Sequence, residues 1–70
     1  MEEKDKLRIL IPHWVAHNRE HANEFRDWAT RADVGSADIL AAGDAIDHAN
    51  ESLKTALEKL GGMLPYPHLD

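Results

Sequence analysis

Cysteine is absent from the 70 residues. That excludes disulfides and thiolate metal sites, and it leaves no redox compartment to read from cysteine usage. Basic character is scarce as well. Eight lysines and arginines stand against thirteen acids, a formal net charge of -5. A phosphate backbone calls for a basic patch, so the balance argues against nucleic acid as a partner. No apolar run approaches the roughly 20 residues of a membrane span, which argues against a membrane partner. The first residues, Met1-Glu2-Glu3-Lys4-Asp5, lack the features of a signal peptide. A soluble, cytoplasmic protein is the expectation. No internal repeat, glycine-rich phosphate loop or serine–histidine–aspartate arrangement stands out, and no enzymatic activity is expected.

What is present is helical spacing. In the first half the stripe is Leu7, Leu10, Trp14, His17, His21, Phe25 and Trp28, with Ile11, Ala22 and Ala29 widening it on one side. Pro12 interrupts this pattern, lacking an N–H and restricting the residue before it. The reading is a helical lead-in over residues 4–10, a kink, and a main helix with Pro12 in its first turn, ending near Ala32. Asp33-Val34-Gly35-Ser36 breaks the chain, with Ser36 as N-cap and Asp38 in the next first turn. A second helix over 37–60 carries Ile39, Ala42, Ile46, Ala49, Leu53, Ala56 and Leu60, with Leu57 alongside. Gly43 inside it makes room for a bulky neighbour such as Trp28, and Gly61-Gly62 ends it. The remainder, 63–70, holds two prolines and reads as an extended tail.

The expected fold is all-α: an antiparallel two-helix hairpin forming a single domain over residues 1–62. Its core and interface residues are Leu10, Trp14, Phe25, Trp28, Ile39, Ile46, Leu53 and Leu60. A chain this short buries a small share of its surface, and without disulfides the remaining remedies are a metal or self-association. A homodimer forming a four-helix bundle is the simplest way to cover three large aromatic side chains.

Three histidines, His13, His17 and His21, stand four residues apart, which places them on adjoining turns of one helix face. Imidazole is the commonest protein metal ligand. His13 and His21 are about 12 Å apart along the axis, so one straight helix offers an ion only an adjacent pair. His17 and His21 are the favoured pair, with His21 nearest the packing seam, and His13 is the next candidate. Glu20 or Glu24 can supplement them from the same flank; hairpin pairing brings His48 to the height of His21 and returns His68 toward His13. Asn18 and Glu24 are candidates to orient the imidazoles from behind. Nitrogen and oxygen ligands without thiolate suit Ni, Co, Cu or Zn as the cofactor.

The competing reading gives these histidines ordinary polar partners in the packing, or a pH-responsive role. It makes the protein a helical dimerisation or interaction module. His17-Asn18-Arg19-Glu20-His21 also matches the inverted zinc-peptidase pattern H-x-x-E-H. That short pattern arises easily by chance among five histidines and many glutamates, and a two-helix hairpin offers little wall for a substrate cleft. His48, with Asp44, Asp47 and Glu51, reads as a solvated outer face.

The stretch Leu10-Ile11-Pro12-His13-Trp14-Val15-Ala16-His17-Asn18-Arg19-Glu20-His21-Ala22, followed by Phe25 and Trp28-Ala29, resembles a family of short microbial proteins. Their shared pattern is P-H-W-x-x-H-N-x-x-H-A-x-x-F-x-x-W-A, followed by a second helix ending as Ala56–Gly62 does. The unit is similar to one associated with CooT-like nickel-binding proteins. The resemblance implies handling of nickel or a similar ion by a carrier, sensor or buffer, with a metal-handling protein as a further partner. It implies no catalysis.

Overall fold

Both stripes lie in runs rich in alanine, leucine, glutamate and lysine, which lose little on entering a helix. In the computed structural model, which describes residues 2–64, they form two long helices. Helix α1 spans Glu3–Ala29 and α2 spans Ser36–Leu60. They pack along their length as an antiparallel hairpin, so the protein is all-α. Charges suit the helix dipoles: Glu3, Asp5 and Asp38 lie in first turns, Arg26 and Lys59 in last turns.

Pro12 does not start a helix. It lies inside α1, which runs unbroken from Glu3, so the separate lead-in over 4–10 is not present. A proline inside a helix leaves the carbonyl four residues earlier without its usual donor. Here that carbonyl belongs to Arg8, and it accepts the backbone N–H of Leu64 at 3.4 Å, beyond the end of α2. The Arg8 guanidinium meanwhile donates to the carbonyls of Gly62 (2.6 Å) and Gly61 (3.1 Å). One residue thus answers three backbone groups of the other helix's terminus.

At the opposite end α1 stops at Ala29, three residues before the expected Ala32, and Thr30 caps it. The N-cap of α2 is Gly35, at φ +86°, a left-handed conformation that glycine adopts without steric cost. Ser36 is the first residue of α2 rather than its cap. Its hydroxyl donates to the Ala29 carbonyl at 2.8 Å, tying the start of one helix to the end of the other.

The packing seam differs from the expected one in a specific way. Ile11, Val15, Ala22 and Ala29 are buried on α1, with Asn18 half-buried among them. Each of them lies one residue after a member of the expected stripe. That is about 100° around the helix. Opposite them run Ile39, Gly43, Ile46, Asn50, Leu53, Leu57 and Leu60, of which Gly43 and Asn50 are buried and the others half-buried. Leu10, Trp14 and Trp28, expected at the centre, remain 41%, 40% and 59% exposed. Phe25 is half-buried.

Close approach explains the shift. A Cβ on Gly43 would stand 3.4 Å from the Ala22 carbonyl and 3.7 Å from Arg26 Cγ. At that separation the seam accepts small and branched side chains, and the aromatic rings fall to the side. Gly43 makes room for the α1 backbone and Arg26, not for Trp28.

Asn50 is the one buried polar residue in this seam, at 5% exposure. Its Oδ1 accepts from Asn18 Nδ2 at 3.0 Å, and its Nδ2 donates to the Val15 carbonyl at 3.1 Å. Among the described residues no buried side-chain nitrogen or oxygen lacks a partner. A buried amide satisfied from both sides fixes the register of two helices, because sliding either one strands it.

Asn50→Ala should lower unfolding free energy by about 1–3 kcal/mol in urea titration, the range for losing buried hydrogen-bond partners. Asn50→Asp should cost more, since a carboxylate has no donor for the Val15 carbonyl and is buried. At Gly43 the 3.4 Å clearance admits a methyl, so Gly43→Ala should hold or raise stability by up to about 1 kcal/mol. Gly43→Leu should lower the melting temperature by forcing the helices apart.

Candidate metal-binding face

The row of histidines survives folding as a row. His13, His17 and His21 project from consecutive turns of α1, and all three are exposed. Ring centroids of His17 and His21 are 5.3 Å apart with planes tilted by 50°. Those of His13 and His17 are 5.7 Å apart, tilted by 55°. Two imidazoles binding one ion through nitrogens at about 2.0 Å, with a tetrahedral angle, hold their centroids roughly 5 Å apart. The His17–His21 spacing falls at that value. The place beside the packing seam expected for His21 belongs instead to Ala22, and His21 stands free on the neighbouring face.

His21 has a fixed neighbour. Its Nδ1 lies 3.0 Å from Glu24 Oε1, one turn further along. A carboxylate accepting from Nδ1–H selects the tautomer whose Nε2 carries the free lone pair, the arrangement found behind metal-bound histidines. Glu24 thus stands where the spacing placed it, within hydrogen-bond reach of the His21 ring. Asn18 does not: its side-chain nitrogen donates across the seam to Asn50.

The supplementary ligands fare differently. His48 is exposed on α2 and shares a shallow surface depression with Glu51, Ser52 and Thr55, none of them from α1. It does not join His21. His68 lies outside the described residues, as does most of the tail predicted over 63–70. Among the described residues no group of three or more histidines or carboxylates is placed to hold an ion. The described residues therefore present neighbouring imidazoles in pairs and no larger ligand set.

The acidic cluster near His48 has a different partner. Arg26 Nη2 donates to Asp44 Oδ1 at 3.0 Å and closely to Asp47 Oδ2, bridging the two helices. Its hydrogen bond with Asp47, then that with Asp44, raises the guanidinium pKa above its ordinary value. Arg26 and Arg8 were not singled out by sequence reasoning. The spacing of Arg26 from the seam, four residues after Ala22, was the available signal.

These contacts lie on one side of the two-helix layer. The other side carries Leu10, Trp14, the histidines, Phe25 and Trp28 beside Ile39, Ala42 and Ala49. Phe25, Trp28, Ile39 and Ala42, with Asp38, line an open apolar groove there. Arg31 stacks its guanidinium 4.8 Å from the Trp28 ring at the groove's end. A second groove near the hairpin's open end is lined by Ile9, Leu10, Pro12, His13, Met63 and Leu64. Among the described residues no helix is long and apolar enough to cross a membrane.

The fold and face define a helical hairpin with one polar and one apolar, histidine-bearing side. Residues 7–60 match the family model described as "Domain of unknown function (DUF8180)", and the chain belongs to that family. No curated protein and no solved structure matches the chain.

Glu24→Ala should remove the tautomer preference of His21 while leaving His17 as it is. Nitrogen-15 NMR of the imidazoles reads this directly; identical His21 ring shifts in both proteins would contradict the role assigned to Glu24.

Proposed function

We propose that this chain binds a transition-metal ion through His17 and His21, as a carrier, sensor or buffer. The supporting observation is the pair of exposed imidazoles, centroids 5.3 Å apart, with Glu24 behind one of them. Nitrogen ligation without thiolate suits Ni(II), Co(II), Cu(II) or Zn(II). His13 is the substitute partner for His17 at 5.7 Å. A two-ligand site leaves coordination positions open, which favours exchange of the ion over permanent structural retention.

A second reading has its own support. Four apolar residues are buried among those described, while two tryptophans and a leucine stand at 40% exposure or more on one face. They suit a self-association module, with the histidines as polar members of the contact. The two readings separate on metal response.

Isothermal titration with Ni(II) or Zn(II) should show binding that is abolished in the His17→Ala/His21→Ala variant and kept in His48→Ala. Melting temperature should rise with added metal and return with chelator, since the ion binds only the folded pair. Acidification should release the ion, because only neutral imidazole offers a lone pair. A flat metal response, with unaltered stability in the double variant, removes this function and leaves association.

A further inference from the structure

A slab one helix thick has two faces, and water must solvate both unless something covers one. The chain measures 48 × 27 × 13 Å. Domains of ordinary construction close their core between two layers, and the described residues form one. The face with Arg26, Asp44 and Asp47 is charged and internally paired. The face with Trp14 and Trp28 is not.

On that face, α2 carries Asp38, Ala42, Ala45, Ala49, Ser52, Ala56 and Lys59, at alternating steps of four and three. All but Ala56 are exposed. The series reads nearly the same in both directions from Ala49: small residues on either side, and opposite charges at the two ends. On α1 the histidine row has its own midpoint at His17. Counted along the antiparallel helices from the Val15–Asn50 hydrogen bond and from the approach of Ala22 to Gly43, His17 and Ala49 differ by one residue, about 1.5 Å of rise. The two midpoints therefore share one height. Two near-palindromes centred on one line across the slab are what an isologous contact requires, in which residue i meets j and j meets i.

We propose that a second copy of this chain covers this face about a two-fold axis crossing at the height of His17 and Ala49. In the resulting four-helix bundle the metal ion is shared between histidines of both copies. The sharing rests on the metal reading given above. Rotation about that axis lays α2 antiparallel on its equivalent, with Asp38 opposite the partner's Lys59 and the alanines allowing close contact. It lays α1 on its equivalent with both His17 rings at the axis and His13 opposite the partner's His21. Imidazoles from two chains then supply the third and fourth ligands that the described residues of one chain do not bring together. A face of 48 by 27 Å exceeds the ~800 Å² that each partner gives to a standard interface.

Sedimentation velocity and Zn(II) titration of the full chain test this. The expected result is a dimer holding one ion per two chains at its axis, with a weaker dimer after chelation. Ala49→Glu should give a monomer of unchanged helicity by circular dichroism, with zinc affinity lowered at least tenfold. Charge exchange tests the pairing without touching the centre: Asp38→Lys should weaken the dimer, and Asp38→Lys with Lys59→Asp should restore it. One zinc per monomeric chain, lost in His17→Ala/His21→Ala, would overturn the shared site while upholding the two-histidine function. A dimer indifferent to zinc, in a protein that binds none, would overturn both. Failure of the double exchange to restore association would overturn the antiparallel arrangement.

Discussion

The close approach of the two helices at Gly43, where a Cβ would just touch the Ala22 carbonyl at 3.4 Å, decides which side chains fit between them. Helices this close leave no place for an indole or phenyl ring between them. The seam is therefore filled by Ile11, Val15, Ala22 and Ala29, and the amide of Asn50 fastens it to Asn18 and Val15. The larger apolar side chains are displaced to one side. A narrow seam and an open aromatic face are two results of a single constraint.

Fold class was legible from spacing because both helices keep a clear alternation of three and four residues. Which face of α1 packs was not. Leu10, Trp14 and Trp28 carry the most hydrophobic surface, so area alone selects them for the core. Burial went instead to their neighbours, because two backbones approaching over Gly43 favour compact shape over large area. Ile11, Ala22 and Ala29 were visible as a widening of the stripe, and they proved to be its centre. Pro12 misled for a related reason. Its missing donor breaks an isolated helix, but here the chain after α2 supplies Leu64 N–H to the carbonyl so exposed. No local pattern announces a partner more than fifty residues away.

The histidine row was legible in full, since spacing of four fixes neighbouring turns whatever the helix packs against. Glu24 followed from the same rule, three residues after His21. Asn18 did not, because its role depended on which side faced α2. His48 had the right height and the wrong face. Height follows from hairpin register, but direction around a helix changes by 100° for each residue, so a small error in the seam turns a ligand outward.

Arg8 joins the two ends of the chain fold at the point where a hairpin is weakest. Its guanidinium holds the last carbonyls of α2 and its own carbonyl receives Leu64. Fraying of the first turns of α1 and the last turns of α2 is thereby made one event. A hairpin joined at one end by its loop ordinarily unzips from the other. With both ends clasped, opening must wait for a break in the middle, and amide hydrogens along both helices exchange as a single cooperative unit.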